Sequence, residues 1–338
     1  MTVFGGVSIA IIVGLIPNAI AGEIFRALQD RAPIFEQLLL VVGLSQLAVP
    51  ALIGALVARE FQLDPIETAV LTMVTFMASG SVQLAEGGFQ IGGIGDLVNT
   101  IFIAALSVLV LLKLRGKFGN LNMVLLPLLV VIVMGAFGLF TLPYVSQLTA
   151  AIGVVVEKIT TLQPLIMSVL LAMIFAILII SPFSTVAVAL AINLSGLGSG
   201  AANLGICATT AVLVVGSSKV NSTGITIAGL LGSPKMFMKN WIAHPQLNLP
   251  ILLTAAIAGV GAYIFNIQGT PQSAGFGFSG LVGPINAVSA MDVGLFQGVI
   301  IAAVAFFGIP FVASFLIQKV LVDLLKVFDY DVYRFGGK

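Results

Sequence analysis

The sequence predicts an all-α polytopic membrane protein with about ten transmembrane helices plus re-entrant hairpins. Of its 338 residues, 59% are hydrophobic and only 8% are charged, and the mean hydropathy is +1.18. A soluble domain carries about 25% charged residues, because its surface must be solvated. This chain has too little charge to cover a globule of its size in water. Lipid is therefore its main solvent.

Long apolar stretches provide the second observation, since a helix needs about 20 such residues to cross the bilayer core. The predicted spans are 3–22, 35–58, 97–113, 121–143, 164–181, 201–217, 248–267 and 295–318. Shorter or interrupted apolar stretches are 67–81, 183–194, 222–234 and 272–290. Because backbone polar groups at membrane depth need partners or a wet cavity, these stretches indicate the broken helices with which carriers build substrate sites. The alternative is that they are loops outside the membrane.

The distribution of these stretches divides the chain. Most broken stretches lie in its second half, so we expect a transport core over 164–318 and a scaffold and dimerisation part over about 1–145. Between them, 146–163 is predicted to be an amphipathic interfacial helix, and 319–338 an amphipathic C-terminal tail. The apolar stripe of 146–163 consists of Leu148, Ile152, Val155, Ile159 and Leu162.

Charge distribution predicts the orientation of the chain. The densest basic loop contains Lys113, Arg115 and Lys117, and the positive-inside rule places such a loop in the cytoplasm. Counting back through the spans makes the N-terminus cytoplasmic too, and the first span is expected to be retained. The net charge of +1 argues against a nucleic-acid-binding surface. The single cysteine, Cys207, is expected to be a small packing residue.

No catalytic constellation is visible in the sequence, and neither a cofactor nor a metal site is predicted. One histidine, His244, rules out sites with several histidine ligands. The run from Gly275 to Gly280 matches G-x-G-x-x-G, but this motif binds dinucleotides only between a strand and a helix. Its glycines are instead expected to let backbone approach a substrate or a neighbouring helix. Gly196 and Gly200 are similarly compatible with close helix packing.

A few polar residues remain as candidates for substrate binding. Lys235 and Lys239 stand one helical turn apart and can hold an anion or sugar hydroxyls, or else anchor the chain at the head-groups beside Trp241. The acidic residues Glu86, Asp96 and Asp292 are expected to contact water. The predicted substrate-binding residues are Lys235, Asn221, Asn193, Ser233, Gly275 and Gly277.

Most of the chain resembles the membrane subunit, enzyme IIC, of the bacterial phosphotransferase system, in its fructose-like branch. The resemblance is carried by an ordered series of weak motifs: "FGGVSIAIIVGLIPNAIAG" at the start, "LAVPALIGALVAREFQLDP" in the second span and "LVLLKLRGKFGNLNMVLLPLL" around the basic loop. "LLGSPKMFMKNWIAHPQLNLP" is similar to the segment with the family's sugar-binding G-I-T-E-G motif, and "GTPQSAGFGFSGLVGP" to its closing A-P-H-G-G element.

The departures from the family concern the sugar site. Lys235 stands close to where the family's glutamate falls, and "SPFSTVAVA" replaces a Gly-Gly-Pro-Val-Asn-Lys run. "TPQSAG" lacks the histidine of A-P-H-G-G. A lysine in place of a glutamate inverts the local charge, which makes an anionic substrate physically plausible.

The resemblance implies a transporter of a small polar solute, sugar-like or an organic anion, that works by elevator-type alternating access in the lipid bilayer of a bacterial cell. It also implies a homodimer and separate IIA and IIB phosphotransferase proteins. Two alternatives remain open: a non-transporting membrane regulator or sensor with this fold, and a phosphorylation-independent carrier or exporter.

Overall fold

A computed structural model describes residues 3–85, 88–91, 93–271, 273–291 and 293–336. Glu86 and Asp292, two of the acidic residues expected to contact water, lie outside these ranges. The chain forms two compact units, Met1–Leu148 and Thr149–Lys338. The assignment of scaffold and transport roles to the two halves stays a prediction.

The first unit is built from seven helices and one β-hairpin. Its elements are α1 (Val3–Pro17), α2 (Glu23–Leu28), α3 (Pro33–Leu47), α4 (Val49–Glu60), α5 (Pro65–Ala78), β1 (Val82–Ala85), β2 (Gly88–Ile91), α6 (Leu97–Leu114) and α7 (Asn122–Thr160), the last of which continues into the second unit. A π-helical turn, Asn18–Gly22, joins α1 to α2.

The second unit contains the remaining helices. They are α8 (Pro164–Ile180), α9 (Thr185–Ala191), α10 (Gly196–Val220), α11 (Thr223–Leu231), α12 (Met238–Ala243), α13 (Asn248–Ile264), α14 (Val282–Ala290), α15 (Leu295–Ala303) and α16 (Ile309–Gln318). Short 3-10 turns at Pro234–Phe237, Pro245–Leu247, Ser279–Leu281 and Tyr330–Tyr333, and π-helical turns at Val304–Gly308 and Lys319–Leu324, complete it.

The helical, membrane-spanning fold class is confirmed. Within the described residues, 5 helices are long and apolar enough to cross a bilayer, or up to 6 if α3 and α4, bent by 47°, form one span. The apolar helices α1, α5 and α8 are shorter. The total of ten spans stays a prediction.

Several element boundaries differ from those expected. The predicted span 35–58 breaks at Ala48, and Pro50 lies in the first turn of the new helix, where proline is well tolerated. Conversely, the predicted span 121–143 and interfacial helix 146–163 form one 39-residue helix, α7, which runs through Pro143. The tail was expected to be amphipathic over 319–338, but its helical part ends at Leu324.

A β-hairpin was not predicted from the sequence. Val82 pairs with Ile91 and Leu84 with Phe89 in an antiparallel register. Each strand has only four residues, which is too short for an alternating apolar pattern to indicate a strand.

The first unit is held together partly by one buried asparagine. The Asn99 Nδ2 of α6 donates to the Ala78 carbonyl at 2.7 Å and to the Gly138 carbonyl at 2.9 Å, while its Oδ1 accepts from the Thr141 hydroxyl at 2.7 Å. These contacts join α5, α6 and α7, and they satisfy a polar group that would be costly to bury alone.

The helix α10 is the centre of the second unit, because 94% of its apolar window is buried, against 50% or less for the other long helices. It approaches α8 closely: a Cβ added at Gly205 would lie 2.0 Å from the Ala172 carbonyl oxygen, and the Thr209 hydroxyl donates to the Ala176 carbonyl at 2.7 Å. A residue further along α10 contacts a residue further along α8, since Gly205 meets Ala172 and Thr209 meets Ala176. The two helices α8 and α10 are therefore parallel.

Candidate substrate site

The chain between α8 and α10 has to return along the length of α8, because the two helices are parallel neighbours. The connection consists of a bent, non-helical stretch, 181–184, the short helix α9 and a second non-helical stretch, 192–195. We call the interrupted return segment 181–191 the broken crossing. Its first residues are not helical, so their backbone groups find partners outside a helix.

A second irregular segment, 265–281, lies along α10. The Ser199 hydroxyl donates to the Thr270 carbonyl at 2.9 Å. Four residues further along α10, the Asn203 Oδ1 accepts from the backbone N–H groups of Gly275 at 3.2 Å and Gly277 at 3.0 Å. Since Asn203 is almost fully buried, its amide fixes the course of this glycine loop inside the unit.

The two irregular segments contact each other. The Thr185 hydroxyl at the start of α9 donates to the Gly275 carbonyl at 2.9 Å. A Cβ added at Gly275 would lie 2.8 Å from the Val186 nitrogen, and the φ of Gly275 is +97°. A glycine is required here both for the left-handed backbone and for the close approach.

Lys235 is the third component of this region. It lies in the 3-10 turn Pro234–Phe237, between α11 and α12, and only 6% of it is exposed. Its ammonium donates to the carbonyl of Ser181, which caps α8, and to the Phe183 carbonyl at 2.7 Å. A cation at the C-terminal end of a helix is stabilised by the helix dipole. Lys235 therefore holds the start of the broken crossing.

The charge of Lys235 has no carboxylate to balance it among the described residues, because its side chain bonds only to these two carbonyl oxygens. An ammonium has three N–H donors, so one donor is left for another partner. Lys235 lies outside the candidate spans, and burial lowers the pKa of its ammonium to about 7.

Ser233, Gly275 and Gly277 lie in this same region. The Ser233 hydroxyl caps the 3-10 turn by accepting from the Lys235 N–H at 3.4 Å. A Cβ at Gly277 would lie 2.6 Å from the Ile206 side chain. Both glycines thus approach helices of the protein itself, which is one of the two uses expected for them.

Asn221 and Asn193 lie elsewhere in the unit. Asn221 ends α10, and its side chain binds the C-terminal tail, with Nδ2 donating to the Tyr333 carbonyl at 2.7 Å. Asn193 is exposed in the turn after α9, where its φ is +52°, a conformation that asparagine tolerates better than most residues. Neither residue is among the hydrogen-bond partners of the Lys235 ammonium in the described part of the chain.

Asn203 and Thr185 were not predicted as site residues, although they hold the glycine loop. The sequence feature that could have indicated Asn203 is its position as a lone asparagine inside "GAANLGICATT", in a helix predicted to be an ordinary span. A buried amide in such a helix needs a partner, and the backbone of Gly275 and Gly277 provides it.

A separate cleft of about 580 Å³ lies between α12 and the tail, with Lys239, His244, Asp329 and Arg334 among its lining residues. None of the six predicted substrate-binding residues lines it.

Broken helices around a buried polar centre, within a polytopic helical unit, define the class of membrane transport proteins. A family model described as "Phosphotransferase system, EIIC" matches residues 1–335 of the chain. The chain belongs to this family and is a multi-pass membrane component of the phosphotransferase type. No curated protein and no solved structure matches it.

Proposed function

We propose that the protein is the membrane permease component for a small polar solute, either sugar-like or an organic anion, of the fructose-like branch of the family. The solute binds beside Lys235, between the broken crossing 181–191 and the glycine loop 265–281. Residues 164–318 form the transport core, and residues 1–145 form the scaffold and the surface of a homodimer. Transport proceeds by elevator-type alternating access.

One observation carries the proposal: among the described residues, the buried amino group of Lys235 is bound only by carbonyl oxygens. A buried charge without a counter-charge is costly. An anionic group of a solute can supply the missing charge and accept the third N–H. A neutral hydroxyl can accept the same N–H but leaves the charge unbalanced, so the geometry favours a solute with a carboxylate or phosphate group.

Transport can be measured with purified protein in proteoliposomes, with a panel of radiolabelled sugars and organic anions. We expect Lys235→Ala to reduce uptake of the accepted solute at least about tenfold, the loss expected when a charge-assisted hydrogen bond of 1.5–3 kcal/mol is removed. Lys219→Ala is the matched control, because Lys219 is exposed at the end of α10. Unchanged uptake by Lys235→Ala for every accepted solute would overturn the site assignment.

The same assay distinguishes transport coupled to phosphorylation from the phosphorylation-independent carrier and from the non-transporting regulator or sensor. Family membership implies separate IIA and IIB proteins, so group translocation requires them together with a phosphoryl donor. Uptake that persists without any donor shows a phosphorylation-independent carrier. Saturable binding without uptake, with or without the donor system, identifies the regulator or sensor instead.

A further inference from the structure

The C-terminal residues 332–335 are bound along their backbone by two asparagine side chains. The Asn240 Nδ2 donates to the Val332 carbonyl at 2.9 Å and to the Arg334 carbonyl at 3.0 Å. The Asn221 Nδ2 donates to the Tyr333 carbonyl at 2.7 Å, and its Oδ1 accepts from the Phe335 N–H at 2.8 Å. Four successive residues, which leave the 3-10 turn Tyr330–Tyr333, are therefore held through main-chain groups.

The side chains of this segment enter apolar surroundings. Tyr333 is fully buried, and its ring covers Gly216 of α10, where an added Cβ would lie 2.5 Å from the ring. The Phe335 ring meets the Phe237 ring edge to face, with centroids 6.0 Å apart. Since aromatic pairs of this geometry add to the energy of area burial, the two rings anchor the segment that the asparagines align.

Two parts of the chain form the groove that binds residues 332–335. Gly216 and Asn221 lie at the end of α10, whereas Phe237 and Asn240 lie in the segment 223–243, which also carries Lys235. We call these four residues the tail groove. A chain segment bound in the tail groove joins the segment 223–243 to α10.

We propose that the tail groove is a binding site for a short aromatic peptide, and that the chain's own residues 332–335 occupy it as an intramolecular ligand. Their binding holds the segment 223–243 against α10. This inference is independent of the solute that the protein transports.

Two further features support a tail that is bound as a ligand rather than as a continuation of the core. The π-helical turn ends at Leu324, and Lys326 adopts a φ of +51°, so the tail reaches the groove through a break in the chain direction. The open cleft of about 580 Å³ separates part of the tail from α12. Only the four-residue 3-10 turn Tyr330–Tyr333 has to open when residues 332–335 leave the groove.

The first test removes the ligand and supplies it again. A chain ending at Asp329 is purified in detergent, and a fluorescent peptide of residues 327–338, VFDYDVYRFGGK, is titrated against it and against the full chain. We expect saturable binding to the shortened chain and binding at least tenfold weaker to the full chain, in which the groove is occupied. A peptide carrying Tyr333→Ala should bind at least tenfold more weakly. Equal binding of the two peptides, or equal binding to both chains, overturns the proposal.

The second test uses the full chain, so it stands even if the shortened chain fails to fold. Chymotrypsin cleaves after Tyr333 and Phe335 only when the tail leaves the groove, and the cleavage rate follows the population of that open form. We expect Asn221→Ala with Asn240→Ala to raise the rate at least tenfold, because four hydrogen bonds to the tail are lost and each stabilises the bound form by about 1 kcal/mol. The control is Gln147→Ala, which removes an exposed amide. Equal rates in the double variant and the control overturn the proposal.

Discussion

The hydroxyl of Thr185 donates to the carbonyl of Gly275 at 2.9 Å, which joins two irregular segments that lie 90 residues apart in the chain. The contact is fully buried, and it connects the start of α9 to the glycine loop. The two segments that surround the proposed solute site are therefore coupled by a single hydrogen bond as well as by packing.

Replacing Thr185 by valine tests this coupling. Valine keeps the branched shape of threonine but leaves the Gly275 carbonyl without its donor, so we expect a loss of about 1–3 kcal/mol in the free energy of unfolding. Thermal unfolding in detergent measures the loss. Thr161→Val is the control, because Thr161 is exposed. A Thr185→Val protein as stable as this control would show that the bond contributes nothing.

Close backbone approach in the second unit can be tested at Gly200. A Cβ there would lie 1.8 Å from the Ile267 carbonyl oxygen, so α10 and the residues after α13 must separate to admit it. We expect Gly200→Ala to lower stability by about 1–3 kcal/mol, the usual cost of overpacking. At Gly224 of α11 a Cβ meets nothing within 4 Å, and Gly224→Ala should be neutral or stabilising. Equal unfolding temperatures for the two variants would contradict the tight packing.

The protonation of Lys235 predicts the pH dependence of anion binding. Burial lowers the pKa of this ammonium to about 7, so the charged form dominates below that pH and is lost as the pH rises through it. Binding of an anionic solute should weaken about tenfold between pH 8 and pH 9. Equilibrium binding to the purified protein, measured across this range, checks the expectation.

Lys235→Arg provides the comparison for this prediction. An arginine stays charged at every accessible pH, so the variant should show a flat profile over the same interval if it still binds the solute. Identical pH profiles for the native protein and this variant would assign the titration to another group.

The orientation of the first unit can be tested at the basic loop. Lys117 follows α6 in the loop expected to be cytoplasmic, and the single native cysteine, Cys207, is buried. We expect Lys117→Cys to react with a membrane-impermeant maleimide in inside-out vesicles and not in intact cells. Labelling in intact cells alone would reverse the predicted orientation.

The sequence was sufficient for those helices in which apolar composition alone decides the structure. The predicted spans 97–113, 164–181 and 248–267 agree closely with α6, α8 and α13. Boundaries set by proline were harder to predict. Pro50 starts a new helix, whereas Pro143 is absorbed within α7, and the cost of one missing backbone hydrogen bond depends on neighbours that the local sequence does not specify.

The candidate site was predictable only in part, because its geometry depends on contacts between distant residues. The sequence identifies Lys235 as a candidate because it is a charged residue in an apolar region, but its partners at Ser181 and Phe183 are more than 50 positions away. Asn221 is a candidate because it is a polar residue in an interrupted apolar stretch, yet its amide binds the tail. Composition identifies a polar group that needs a partner; only the fold identifies which partner it finds.

The parallel arrangement of α8 and α10 has a consequence for the sidedness of the chain. Parallel neighbours begin at the same face of the unit and end at the same face, so Ile180 and Val220 both lie toward one face of the second unit. A topology map that counts only long hydrophobic segments omits the broken crossing between them and assigns these two positions to opposite compartments. Every loop beyond residue 191 would then be placed on the wrong side, an error that comes from one seven-residue helix.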